Sequence, residues 1–245
     1  MATVRVRLLG PIDVVVDGVP RAVSGLRRKA LLAALALRAG RMVGAAQLVD
    51  IVWGESAPTA VANGLQRQIS HLRSVLGARS AVVSRPPGYL LDLPGDATDV
   101  QAAEHLIRDG MSAADPEDGV RQLQAAVALW RGSPLAELAE LPWFDDPARQ
   151  LEGLLLRARQ ALIERHLDLG RAAAVVPELE ALARAHPLQE QIAGLLMRAL
   201  YHSGRQAEAL AAYQRLRHTL AEELGIDPGP ALRDLEAAIL RQDPG

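Results

Sequence analysis

Seven polar side chains recur on one side of a helical pattern near the middle of the first hundred residues, and none of them is acidic. They are Asn63, Gln66, Arg67, Ser70, His71, Arg73 and Ser74. Amide, guanidinium, hydroxyl and imidazole groups form hydrogen bonds to phosphate oxygens and to the edges of bases. These residues therefore have the chemistry of a surface that binds nucleic acid. Taken alone, the pattern also fits the solvated face of an ordinary core helix.

The apolar residues of the same segment predict the helix that positions this surface. Val61, Leu65, Ile69, Leu72 and Leu76 are spaced by four, four, three and four residues, which places them on one stripe. Pro58 and Thr59 suit the start of this helix, and Gly77 suits its end. The polar side chains then lie on the opposite face.

The neighbouring segments predict a winged helix around this third helix. Two β-branched runs within residues 4–16 predict strands, and Asp17-Gly18 predicts a turn after the second run. Helices are predicted over residues 26–39 and 45–53. After the third helix, residues 81–85 and 89–93 flank Pro86-Pro87-Gly88, which predicts a β-hairpin with Arg85 near its tip. Three helices followed by a hairpin is the order of a winged helix-turn-helix domain.

Charge is distributed unevenly along the chain. Residues 1–93 carry 12 Lys+Arg and 5 Asp+Glu, a net +7, whereas residues 94–245 carry 15 and 24, a net −9. A basic half joined to an acidic half is typical of a polyanion-binding module fused to a protein-binding one. Chance segregation of surface charge is the alternative.

The sequence of residues 98–245 predicts helices and contains no convincing strand pattern. Helices over about 99–110 and 117–130 precede an internal repeat, in which Gly170 and Gly204 are 34 residues apart. That spacing is the tetratricopeptide period. Ala209 and Tyr213 follow the second glycine where Val175 and Leu179 follow the first, so we predict a degenerate tetratricopeptide-like array, with a generic helical bundle as the alternative.

The predicted fold is thus mainly α with a small β component: a winged helix-turn-helix domain over residues 1–93, and an all-α domain over residues 98–245.

Enzymatic, metal-dependent and membrane functions find little support in the sequence. There is no cysteine, the six histidines are scattered, and the longest apolar run, residues 30–37, is too short to cross a membrane. Asp145-Asp146 is better interpreted as a helix start than as a catalytic pair. Trp130, Trp143 and Phe144 either line a ligand pocket or pack in a core. We expect a cytoplasmic protein with no catalytic residue, cofactor or metal.

Several stretches resemble the Streptomyces antibiotic regulatory protein family, in which an OmpR-type winged helix precedes a bacterial transcriptional activation domain. These are RKALLAALA (28–36), QLVDIVWG (47–54), ANGLQRQISHLRSVL (62–76), PGYL (87–90), ALWRGSPL (128–135), residues 190–212 and LAEELGIDP (220–228). The resemblance runs almost end to end. Some members carry an added nucleotide-binding, receiver or forkhead-associated module, and we expect the shorter, two-domain kind here.

The resemblance implies a role for individual residues on DNA. The third helix would enter the major groove with Asn63, Gln66, Arg67, Ser70 and His71 toward the DNA and Arg73 on phosphate. Arg85 would reach the minor groove or the adjacent backbone. Trp53 would place its indole N–H near a phosphate, with a core position as the alternative. Gly64 and Ser70 are small where related winged helices have larger or basic residues, so the base-reading side chain is left open.

The resemblance also implies a function. The chain would be a transcriptional activator, for a secondary-metabolite gene cluster, that binds tandem direct repeats in double-stranded DNA. Repeats one helical turn apart, about 10–10.5 base pairs, would place successive protomers on one face of the DNA. The helical domain would mediate self-association on DNA and contact RNA polymerase and its sigma subunit. Two alternatives are a protein-interaction scaffold whose winged helix no longer binds DNA, and a sensor whose helical domain binds a small effector.

Overall fold

The computed structural model describes residues 3–54 and 61–242, which form two compact units. Residues 1–109 with 122–158 belong to the first unit, and residues 110–121 with 159–245 to the second. The strands are β1 (Val4–Arg7), β2 (Asp13–Val16), β3 (Val19–Ala22), β4 (Val43–Gly44), β5 (Val82–Arg85) and β6 (Gly88–Leu91). The helices are α1 (Leu26–Ala36), α2 (Ala45–Trp53), α3 (Val61–Val75), α4 (Asp99–Ser112), α5 (Pro116–Val127), α6 (Asp145–Asp168), α7 (Ala172–Ala185), α8 (Glu190–His202), α9 (Gln206–Leu224) and α10 (Pro230–Arg241).

An antiparallel sheet of three strands, in the order β1-β2-β3, opens the first unit. Alternation along β1 and β2 directs Val4, Val6, Val14 and Val16 into the core, where each is less than a tenth exposed. The predicted turn between β2 and β3 at residues 17–18 is confirmed, since both residues have positive φ. Strand β3 was not predicted, because its sequence, VPRA, has no apolar alternation and all four residues are exposed.

The winged helix follows as α1, β4, α2, α3 and the β5–β6 hairpin, which confirms the predicted order. Strand β4 pairs with β6, so the second sheet has the order β4-β6-β5. Gly88 permits this pairing, because a Cβ added there would lie 1.9 Å from the carbonyl oxygen of Val43. The first helix ends at Ala36 rather than at residue 39, as the chain tightens into a turn before Gly40. The predicted start of the third helix at Pro58-Thr59 lies outside the described residues.

The N-terminal sheet packs against residues that follow the winged helix. Val6 forms a parallel bridge with Thr98, and the next residue, Asp99, is 1% exposed. The Asp99 carboxylate accepts hydrogen bonds from the backbone N–H groups of Leu8, at 2.8 and 2.9 Å, and of Leu9, at 3.0 Å. These two N–H groups would otherwise be buried without partners. The first unit therefore contains the start of α4 as well as the winged helix.

Helices α7 to α10, together with the C-terminal part of α6, dominate the second unit and carry the predicted repeat. Gly170 and Gly204 both adopt positive φ between paired helices. The residue after each glycine donates to a carbonyl five residues earlier, Arg171 to His166 and Arg205 to Leu200, both at 2.9 Å. Such a bond closes a helix whose C-terminal residue has left-handed backbone. The same turn thus recurs with a period of 34 residues.

Packing beyond the two turns repeats as well. Val175 and Ala209 are buried five residues past their glycines, and Leu179 and Tyr213 are buried nine residues past them. The mostly helical fold with an N-terminal winged helix is the predicted one.

Removing the Asp99 carboxylate should destabilise the first unit. In Asp99→Ala the N–H groups of Leu8 and Leu9 lose their acceptor, and each unsatisfied buried donor costs about 1–3 kcal/mol. We expect the free energy of unfolding to fall by about 3 kcal/mol, measured by urea denaturation. Asp92→Ala, at an exposed position, is the control and should change it by less than about 0.5 kcal/mol. Equal losses in both variants would contradict the assignment.

The same residue should give stability a distinctive pH dependence. Burial raises the pKa of Asp99, although the N–H groups of Leu9 and Leu8 and the charge of Arg131 act to lower it. The folded state therefore binds this proton more readily than the unfolded chain. The stabilisation that comes from this tighter proton binding is fully present below the ordinary carboxyl pKa of about 3.9. It declines as the pH rises through the raised pKa of Asp99 in the folded state. The difference in unfolding free energy between the wild type and Asp99→Asn should accordingly shrink with rising pH; a constant or growing difference would contradict this.

Candidate nucleic-acid interface

Helix α3 separates the two faces that its sequence predicts. Leu65, Ile69, Leu72 and Leu76 are each at most 3% exposed and belong to the core of the first unit. The side chain of the fifth predicted stripe residue, Val61, lies outside what the structure describes. The stripe therefore anchors the helix and leaves its opposite face to solvent.

Five of the predicted site residues lie together on that solvent face. Asn63, Gln66, Arg67, Ser70 and His71 are all exposed. The helix contains no acidic residue. The face therefore presents donors and a positive charge without a carboxylate to repel phosphate. Whether these residues contact DNA stays a prediction.

His71 is held by a residue that the sequence analysis did not assign to the site. Arg28, in the first turn of α1, places Nη1 3.1 Å from His71 Nε2 and donates from Nε to the amide oxygen of Gln68 at 3.2 Å. Its Nη1 also donates to Ser24 Oγ at 3.1 Å. Arg28 thus ties the start of α1 to the middle of α3.

The run Arg27-Arg28-Lys29 is the sequence feature from which a contact between the start of α1 and another element could have been predicted. Three cations in the first turn of a helix are unfavourable for the helix dipole, so another interaction is expected to compensate. Arg28 makes the contacts to α3, and Arg27 lies over the ring of Trp53 at 5.7 Å from its centroid. Lys29 pairs with Glu137.

Arg73 connects α3 to the wing. Its Nε and Nη2 donate to the carbonyl oxygen of Val82 at 2.9 and 2.6 Å, and Nη2 also donates to Ser84 Oγ at 2.8 Å. Three of the donors are thereby directed into the protein. The phosphate contact suggested for Arg73 stays a prediction, and the structure assigns the side chain a bracing role in addition.

Arg85 ends β5 at the tip of the hairpin and is exposed, as the sequence predicts for its place on the wing. Its register partner across the hairpin is Gly88, and the turn between them contains the cis peptide bond Pro86-Pro87. Arg85 thus lies at the tip of the hairpin, in the same unit as the exposed face of α3. Its contact with DNA stays a prediction.

Trp53 lies in the core of the first unit and is 8% exposed. A Cβ on Gly64 would lie 3.6 Å from the indole Cζ2, so the small residue in α3 leaves room for this ring. The core position that we considered for Trp53 is therefore the observed one. The phosphate contact of its indole N–H stays a prediction.

Three further features of the described residues concern metal ions, the Asp145-Asp146 pair and membranes. Among residues 3–54 and 61–242, no group of three or more His, Asp or Glu side chains is arranged to hold a metal ion. Asp145 and Asp146 lie in the first turn of α6, where the sequence placed them at a helix start. Within the described part of the chain, no helix is both long and apolar enough to span a membrane.

Comparison with known proteins identifies the two parts of the chain. Residues 24–91 match the family described as "Transcriptional regulatory protein, C terminal", and residues 96–240 match "Bacterial transcriptional activator domain". A winged helix followed by this helical domain defines a transcriptional regulator. The chain belongs to the Streptomyces antibiotic regulatory protein family.

Individual relatives align over almost the whole chain. The transcriptional regulatory protein EmbR of Mycobacterium tuberculosis is 37% identical over 97% of this chain, which spans 63% of the length of EmbR. The regulatory protein DnrI of Streptomyces peucetius is 33% identical over 98% of this chain and 93% of its own length. The regulatory protein AfsR of Streptomyces coelicolor is 39% identical over 98% of this chain and 24% of its own length.

A solved structure shares the fold. M. tuberculosis EmbR in complex with a low-affinity phosphopeptide superimposes with a TM-score of 0.95 at 36% identity, over all of this chain and 67% of EmbR.

Loss of the Arg73 brace should loosen the wing. Arg73→Met keeps the aliphatic stem but removes the donors to Val82 and Ser84, a loss of about 1.5 kcal/mol. We expect the backbone amides of β5 to exchange with deuterium about tenfold faster. Ser74→Ala, at an exposed neighbouring position, is the control and should leave their exchange unchanged. Unaltered protection in Arg73→Met would show that the wing is held by its other contacts.

Proposed function

We propose that the protein is a sequence-specific DNA-binding transcriptional activator that acts in the cytoplasm. Helix α3 would enter the major groove, and Arg85 on the wing would reach the minor groove or the adjacent backbone. The observation that carries this proposal is the exposed face of α3, where five polar side chains lie on a helix that contains no acidic residue. The net charge of +7 over residues 1–93 supports the same interpretation.

Under this proposal the two domains of the chain have different functions. Residues 1–93 would form the DNA-binding domain, and residues 98–245 the activation domain, which would contact RNA polymerase and its sigma subunit. Membership of the family supports a role in the regulation of a secondary-metabolite gene cluster. Protomers would associate on tandem direct repeats spaced by one helical turn, since that spacing returns each protomer to the same face of the duplex.

Selection from random duplex DNA tests the proposal most directly. The purified protein would be incubated with the pool at about physiological salt, where non-specific phosphate contacts are weak, and the retained duplexes sequenced. We expect enrichment of direct repeats about 10–10.5 base pairs apart. Retained DNA without a shared sequence would overturn sequence-specific binding by this chain alone and favour the scaffold alternative.

Two arginine substitutions then test the interface residue by residue. Arg67→Ala and Arg85→Ala should each weaken binding to the selected site, and each lost phosphate contact should make the plot of log affinity against log salt shallower by about one. Arg198→Ala removes an exposed arginine from α8, within the second unit, and is the matched control. It should leave both the affinity and the salt slope unchanged. If neither of the first two variants alters affinity, the assigned interface is wrong.

A further inference from the structure

A cleft of about 860 Å³ opens within the first unit, away from α3. Its walls come from the residues just after α1, the first turns of α4, the segment that leads into α6, and α6 itself as far as Arg157. The side chains that define its chemistry are Leu37, Arg38, Glu104, Trp143, Leu154 and Arg157. The volume is in the range of cavities that hold small molecules, about 300–1,000 Å³.

One wall of the cleft contains a fixed aromatic ring. Trp143 packs edge-to-face against Phe144, with ring centroids 4.7 Å apart and an interplanar angle of 82°. Phe144 is 1% exposed, so the pair is anchored in the core. Trp143 itself is only partly buried and borders the cleft. Trp143 thus contributes a fixed apolar ring to the wall of the cleft.

The same wall carries a positive charge that no described carboxylate neutralises. Arg38 is half-buried and lies 5.4 Å from the Trp143 ring centroid. No described acidic side chain forms an ion pair with Arg38, or with Arg157 across the cleft. Arg149 is neutralised by Asp146, which leaves two arginines against Glu104. A half-buried guanidinium with no carboxylate partner in the described part of the chain favours an anion that accepts its hydrogen bonds.

We propose that this cleft binds a small aromatic anion. The ring of the ligand packs against Trp143 and Leu154, and its single negative group accepts hydrogen bonds from Arg38. This assigns a ligand to a wall that combines a fixed ring with a cation that has no carboxylate partner among the described residues. The inference does not depend on DNA binding, because the cleft shares no residue with the exposed face of α3 or with the wing.

A pair of dyes that differ by one charged group tests both halves of the proposal. 8-Anilinonaphthalene-1-sulfonate carries the aromatic rings and the anion, and N-phenyl-1-naphthylamine carries the same rings without the sulfonate. The wild-type protein should bind the anionic dye at least about tenfold more tightly, as expected for a charge-assisted hydrogen bond. Binding is measured by dye fluorescence at equilibrium.

Matched variants locate the site. Arg38→Met keeps an aliphatic side chain but removes the guanidinium. It should weaken binding of the anionic dye about tenfold and change the affinity for the neutral dye by less than about twofold. Trp143→Leu should weaken the binding of both dyes. Arg41→Met removes an exposed arginine near the end of α1 that does not line the cleft, and should change neither. Thermal unfolding verifies that each variant is folded, and Arg38→Gln replaces Arg38→Met if that variant is not.

Three results would overturn the proposal. They are no binding of either dye by the wild type, equal affinity of the wild type for both dyes, or an equal effect of Arg41→Met and Arg38→Met on the anionic dye. Loss of DNA binding leaves all of these outcomes unchanged, so failure of this inference is distinct from failure of the proposed function.

Discussion

The buried carboxylate of Asp99 is the constraint on which the first unit depends. The chain leaves β1 at Arg7, and the next two N–H groups, those of Leu8 and Leu9, point into the interior with no strand to pair with. A neutral acceptor would satisfy them at a smaller desolvation cost, yet the sequence supplies a carboxylate whose burial raises its pKa. The two oxygens of this carboxylate accept three hydrogen-bond contacts from the N–H groups of Leu8 and Leu9. Since Asp99 also begins α4, one side chain fixes both the end of a strand and the start of a helix.

Further contacts converge on the same turn between β1 and β2. Arg131 donates to the carbonyl oxygen of Pro11 at 3.0 Å and lies 3.8 Å from the carboxylates of both Asp13 and Asp99. Gly10 allows this approach, because a Cβ at that position would lie 3.0 Å from Cβ of Arg131. At the other end of this turn, the Glu137 carboxylate accepts a hydrogen bond from the N–H of Ile12 at 2.7 Å. Residues of the matched activator domain thus complete the N-terminal sheet, so the compact unit and the region matched by each family description have different limits.

The sequence predicted those parts of the fold that follow from local periodicity. The α3 stripe and the wing hairpin depend on side chains a few positions apart, and the repeat depends on a period of 34 residues. Each is observed in the described residues, with the side chain of Val61 outside them. Strands β3 and β4 were missed because one is entirely exposed and the other has two residues. The bond between Asp99 and Leu8 spans 91 positions and no periodic pattern encodes it. The contacts of Arg28 and Arg73 were missed for a related reason, since each joins α3 to another element, whereas the prediction treated the face of one helix alone.

The contact of Arg28 with α3 has a chemical consequence for the candidate interface. A guanidinium has donors and no acceptor, so His71 Nε2 must accept in this contact and the ring proton must lie on Nδ1. The group that His71 still offers to a ligand is therefore a donor. A donor suits a phosphate oxygen, the N7 of either purine, the O6 of guanine or the O4 of thymine, and it does not suit the amino groups of adenine or cytosine. The partner that α1 supplies thus narrows what α3 can recognise in the proposed complex, which inspection of the α3 sequence by itself does not reveal.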